Sequence, residues 1–128
     1  MKVAVIGSRG MKVDRLELFL PEETQLIVSG GALGVDRSAE RFAKAAGIPL
    51  KVFLPDYEKW GRRAPIVRNL DIIAAADLVL AFWDGRSKGT EFVIEQCRKQ
   101  GKPLKIFLAD PAAQGGFSPY CEPQQLSF

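Results

Sequence analysis

Gly47-Ile48-Pro49-Leu50-Lys51-Val52-Phe53-Leu54 returns later in the chain as Gly101-Lys102-Pro103-Leu104-Lys105-Ile106-Phe107-Leu108, with six identical positions and one Val/Ile exchange. Each copy follows an apolar run, a glycine turn and a helical pattern. Glycine ends a helix, proline keeps it from continuing, and the β-branched and aromatic residues that follow read as a strand. The echo is a shared way of ending a crossover, and it implies repeated βαβ units, whose crossovers are right-handed.

Working outward, the same alternation fills the chain. Lys2 to Ile6 reads as a buried strand that exits through Gly7-Ser8-Arg9-Gly10, and Leu16, Phe19 and Leu20 read as a short helix stopped by Pro21. Gln25 to Ser29 is a second strand. Val35, Ala39, Phe42, Ala43 and Ala46 then mark one face of a helix. After the strand 50–54, residues 55–65 read as a polar, mobile loop, 66–76 as a helix and 78–83 as a strand. A glycine-rich turn 84–89, a helix 90–100 and a strand 104–108 follow. The strands are continuously apolar, as parallel strands covered on both faces are. The expectation is a doubly wound three-layer α/β/α domain over residues 1–109, with a five-stranded parallel sheet in the order 3-2-1-4-5. Residues 110–128, rich in glycine and proline, are expected to form a loosely structured tail.

Composition narrows the chemistry. The 128 residues suffice for one domain, and 47% apolar with 26% charged residues is a soluble globular balance. There is no histidine, which excludes histidine triads, histidine metal sites and histidine acid/base steps. Cys97 and Cys121 cannot form a zinc cluster alone, and free thiols are favoured over a Cys97–Cys121 disulfide. No membrane span or signal peptide is read, so a cytoplasmic location is expected. The net charge of +3 permits anionic partners without demanding nucleic acid.

Ligands of an open parallel sheet bind outside the carboxyl ends of its strands. Three loops arrive there, each leading into a helix: Gly7-Ser8-Arg9-Gly10, Gly30-Gly31-Ala32-Leu33-Gly34 and Gly85-Arg86-Ser87-Lys88-Gly89-Thr90. Glycines let the backbone approach an anion, and helix N-termini offer unbonded N–H groups. Such loops suit a nucleotide phosphate or a phosphosugar, although glycine turns also occur without ligands. The spaced dinucleotide fingerprint is missing, and the Gly85–Thr90 turn lacks the Lys-Ser/Thr ending of a P-loop.

At this point a resemblance enters. Val28-Ser29-Gly30-Gly31-Ala32-x-Gly34-Val35-Asp36-Arg37-x-Ala39-Glu40, then Trp60-Gly61-Arg62-x-Ala64, Arg68-Asn69, Ala76-Asp77-Leu78-Val79-Leu80-Ala81-Phe82-Trp83-Asp84-Gly85 and Ser87-x-Gly89-Thr90 resemble the YpsA-related branch of the SLOG superfamily. The resemblance spans residues 1–108. It implies a Rossmann-like fold, a nucleotide or nucleotide-derived ligand, and a homodimer. Among the relatives it implies are the single-strand DNA-processing protein DprA and the lonely-guy phosphoribohydrolases. The hydrolases carry Pro-Gly-Gly-x-Gly-Thr-x-x-Glu, with a catalytic glutamate. Here Gly89-Thr90 is kept, Val93 stands at the glutamate position, and Glu91 and Glu95 are out of register.

Several residues keep two readings. Asp36 would hold a ribose hydroxyl, act as a base, or cap its helix. Arg68 and Asn69 would grip phosphate or ribose, or be solvated. Trp60 would stack on a base or anchor its loop, and Trp83 would pack in the core or shape the pocket. Cys97 reads as a small buried apolar residue, and Lys12, Lys44 and Lys51 as ordinary surface charge. The expected function is binding of a nucleotide-derived ligand, as a sensor or binding protein. Gly7, Ser8, Arg9, Gly30, Gly31, Ala32, Gly34, Asp36, Arg68, Asn69, Asp84, Gly85, Ser87, Gly89 and Thr90 form its site, and no metal is involved. The alternatives are N-glycosidic cleavage of a nucleoside monophosphate by Asp36 or Glu91, and single-stranded nucleic-acid binding.

Overall fold

A computed structural model describes residues 1–31 and 34–120. One sheet carries six strands in the order β3-β2-β1-β4-β5-β6. The strands are β1 Lys2–Gly7, β2 Leu26–Ser29, β3 Leu50–Val52, β4 Leu78–Trp83, β5 Leu104–Ala109 and β6 Phe117–Pro119. β1 to β5 are parallel to their neighbours and β6 is antiparallel to β5. The helices are α1 Val35–Ala46, α2 Tyr57–Trp60, α3 Ala64–Ala75 and α4 Lys88–Gln100. None of the described helices is long and apolar enough to cross a membrane.

Successive side chains of a strand point to opposite faces, and both faces of this sheet are covered. Val3, Val5, Ile27, Leu80 and Phe82 pack with Val35, Ala39 and Ala43 of α1. Ala4, Ile6, Val28, Val79 and Ala81 pack with Ile72 and Ile73 of α3 and with Val93, Ile94 and Cys97 of α4. Cys97 is a fully buried free thiol, and burial pushes its pKa up to about 11. Cys121 lies outside the described residues.

The repeated octapeptide performs the same act twice. Gly47 and Gly101 take left-handed φ values of 70° and 69°. Beyond them, Ile48 N donates to Ala43 O and Lys102 N to Cys97 O, each at 2.9 Å. These bonds satisfy carbonyls that the helix end would otherwise orphan. The prolines then start the next strands: the carbonyls of Pro49 and Pro103 accept from Ile27 N and Val79 N, both at 3.0 Å.

Three expectations are corrected. The sheet has six strands and is mixed, because residues expected in the loose tail supply β6. The connection 110–116 is too short for a parallel crossover, so the chain can only turn back antiparallel. Phe117 is buried there, 5.0 Å from the Phe82 ring and 6.2 Å from Phe19. The helix read at Leu16 to Leu20 is a single 3-10 turn, Leu16–Leu18. The loop expected at 55–65 contains α2, capped by Asp56 accepting from Lys59 N at 3.1 Å, and a 3-10 turn Gly61–Arg63. α3 therefore begins at Ala64, with Pro65 in its first turn, where a missing N–H goes unnoticed.

Candidate functional site

β1 ends at Gly7 between two walls. A Cβ on Gly7 would stand 2.5 Å from Val35 Cγ2 and 2.8 Å from Phe82 O. Only a glycine lets the first residues of α1 come this close to the β1–β4 edge. The chain then turns at Ser8, which is buried: its N–H donates to Phe82 O at 3.1 Å and its Oγ accepts from Asp84 N at 3.2 Å. Ser8 thus ties the exit of β1 to the exit of β4.

Asp84 folds the turn ahead of α4. Its Oδ1 accepts from Ser87 N at 2.7 Å and Arg86 N at 2.8 Å. These backbone donors, Ser87 first, hold its carboxyl below the ordinary value of 3.8. The Trp83 indole N–H donates to Ser87 O at 3.1 Å, so the turn is fixed from both sides. α4 then opens with Lys88, Gly89 and Thr90, whose N–H groups precede the first helical bond, Glu91 N to Ser87 O. No neighbour lies within 4 Å of a Cβ built on Gly89, so the space beside it is open.

Opposite this turn, Arg68 on α3 reaches across to the end of β2. Its Nη1 donates to Gly30 O at 2.6 Å and its Nε to Asn69 Oδ1 at 2.8 Å. A Cβ on Gly30 would meet Arg68 Nη1 at 2.8 Å and Asp36 Oδ2 at 3.0 Å. Asp36, only 5% exposed, sits in the first turn of α1 behind the cap residue Gly34, so it is not the helix cap.

These pieces enclose a cavity of about 190 Å³ lined by Ile6, Gly7, Arg9, Asp36, Arg68, Asn69, Ile72, Ser87, Gly89, Thr90 and Val93. Among the described residues it has cations at Arg9 and Arg68, a hydroxyl at Thr90, and one carboxylate, Asp36. Among the described residues no cluster of acids and cysteines could hold a metal ion.

The chain is 32% identical over 124 residues to the Gene 61 protein of Mycobacterium phage D29, a match covering 86% of this chain and 98% of that protein. The chain belongs to that phage protein's family. No family model matches it.

Of the residues singled out from sequence, the cavity gathers Gly7, Arg9, Asp36, Arg68, Asn69, Ser87, Gly89 and Thr90. Ser8, Gly30 and Asp84 stand behind it and shape it through the bonds above. Gly31 packs against Val52 and Leu54, and Gly85 is a turn residue with a φ of 81°. Gly34 faces away from the cavity, with a Cβ position 2.8 Å from Met11 O and 3.0 Å from Gly10 N. Ala32 lies outside the described residues. Glu91 pairs with Lys88 at 3.8 Å and does not line the cavity. Trp60 is 41% exposed beneath the Lys59 ammonium, and does not line it either.

The sequence reading had placed Val93, which lines the cavity, at the hydrolases' glutamate position, and it missed the apolar walls Ile6 and Ile72. Both had a signal: Ile6 precedes the Gly7 turn, and Ile72 lies one helical turn beyond Arg68 on the same face.

Proposed function

We propose that this protein binds a nucleotide-derived ligand in the cavity between β1, α1, α3 and α4, with a Rossmann-like use of the strand ends. The observation that carries the reading is convergence. Residues far apart in sequence, chosen for their phosphate- and sugar-binding chemistry, line one cavity at the carboxyl edge of a parallel sheet. In this reading the N–H groups of Gly89 and Thr90 and the Arg9 guanidinium take the phosphate. The Asp36 carboxylate takes the ribose hydroxyls. Ile6, Ile72 and Val93 cover the sugar from the apolar side.

Size refines the ligand. At about 190 Å³ the cavity is smaller than the roughly 300–1,000 Å³ of sites that enclose a drug-sized molecule. It suits a sugar phosphate with the base at the rim, and a whole dinucleotide would not be enclosed. Resemblance to the YpsA-related SLOG proteins supports the same ligand class. It also suggests a cytoplasmic homodimer, which light scattering on the purified protein tests.

Binding rather than turnover is the reading favoured here. Val93, at the position of the hydrolases' glutamate, is buried in the cavity wall and offers no proton-transfer group. Native mass spectrometry of freshly purified protein is the direct test. The expected result is a co-purifying mass of a nucleotide or its phosphorylated derivative. A protein that arrives empty, and binds no mononucleotide in calorimetry, overturns the reading. Release of free base would move it to the N-glycosidase alternative.

A further inference from the structure

On the other side of the Ser8–Met11 loop lies a second cleft, of about 450 Å³, lined by Lys12, Gly34, Arg37 and Arg41. All three of its charged residues are cations, and all three are exposed. Arg37 and Arg41 stand four residues apart on α1, where like charges repel across a helical turn. Among the described residues none of the three forms an ion pair. Asp14 lines the two adjoining clefts, one with Arg41 and one with Lys12, but not this one, and Glu17 pairs with Arg15 at 3.4 Å. Glu40 is turned toward Gly31, its Oε1 4.0 Å from a Cβ built there.

The backbone that carries the cluster is tied together. Val13 N donates to Ser38 Oγ at 3.1 Å, which fixes Lys12 beside the first turns of α1. Gly34 lies against Gly10 N and Met11 O with a φ of 86°, so this wall of the cleft is bare backbone.

We propose that the Lys12–Arg37–Arg41 cleft is a second anion site, which takes a compact, multiply charged phosphate group of the pyrophosphate class. Three cations on one cleft match several charges concentrated on one small group. Two guanidiniums add the forked donors that pair with phosphate oxygens in bidentate fashion. This site does not depend on the nucleotide-derived ligand proposed for the other cavity.

Inorganic pyrophosphate titrated calorimetrically into the full chain tests it. The expected result is saturable binding, one per chain. Arg37→Gln and Arg41→Gln should each weaken it roughly tenfold, the loss of one charge-assisted contact, with unchanged melting temperature. Gly89→Val should leave it intact. No saturable binding, or equal binding by the double glutamine variant, overturns the proposal. So does loss of binding in Gly89→Val, which would place the anion in the other cavity. Equal affinity for citrate would show that charge alone is read, and tight binding only of a single-stranded oligonucleotide would make the surface a nucleic-acid track. Either result also overturns it.

Discussion

The Arg68 guanidinium holds the Gly30 carbonyl oxygen at 2.6 Å, joining the middle of the sequence's Arg-Asn pair to the end of β2. A Cβ on residue 30 would stand 2.8 Å from Arg68 Nη1, so any side chain there would crowd this bond. Arg68 is therefore a structural clasp at the cavity wall as well as a cation within reach of a ligand.

Gly30→Ala would push its Cβ against Arg68 Nη1 and break this clasp. We expect a loss of about 1.5–3 kcal/mol, the usual worth of a hydrogen bond to a charged group. Arg68→Ala should cost a similar amount, and the double variant should fall short of the sum because both remove one contact. Urea unfolding of the four proteins measures the cycle. Additive losses would mean that the two residues act apart.

Gly89→Val should abolish binding of the co-purifying ligand without destabilising the fold. Nothing lies within 4 Å of its Cβ position, and valine is no worse than glycine in a helix. Calorimetry and thermal melting read the two effects separately. Retained affinity in a folded variant would remove the α4 N-terminus from the site.

Asp84 should matter in its ionised form. Its pKa in the folded protein lies below the ordinary 3.8, so its contribution is present in full above that value. It is lost as pH falls further, through the folded-state pKa. Asp84→Asn should therefore melt below the wild type near neutral pH, and the gap should close on acidification below about 3.8. A gap that stays constant across that range would count against the charged turn.

Adenine, guanine and pyrimidine nucleoside monophosphates should be recovered intact after long incubation with the protein. Among the described residues Asp36 is the one carboxylate lining the cavity, and Val93 is part of the same wall. Chromatography of the mixture decides. Base release at about one per second or faster, lost in Asp36→Asn, would make the protein an enzyme.

Phe117→Ala should destabilise the protein by about 3 kcal/mol, the range for emptying a buried aromatic site. The Phe117 ring lies edge-on to Phe82 at 5.0 Å and does not line the cavity, so ligand affinity should be unchanged in the folded variant. A loss below about 1 kcal/mol would show that β6 is not part of the cooperative unit.

Local patterning was legible because it is written in neighbouring residues. The Gly-x-Pro stops at 47–49 and 101–103, the apolar runs of β1 and β4 and the face of α1 each depend on a few consecutive side chains. So did the sheet order of the parallel strands, since right-handed crossovers leave few arrangements. The turn Asp84 to Thr90 was legible as a turn. The bond from Asp84 N to Ser8 Oγ was not, because Ser8 and Asp84 are distant in sequence.

The alternating α/β pattern, the absence of histidine chemistry and a set of glycine-rich loops at strand ends follow from the order of residues along the chain. Tertiary structure alone decided which of those glycines face open space and which face another chain segment. Gly89 is open, whereas Gly7 and Gly34 are forced by the close approach of Val35 and Met11, and Gly30 faces the end of the Arg68 side chain. It also decided that β6 joins the sheet, because Phe117 completes an aromatic cluster with Phe19, Phe82 and Phe107. And it turned Lys12 from one surface charge among many into a neighbour of Arg37 and Arg41. Each of these depends on contacts between residues far apart along the chain, which local propensity does not encode.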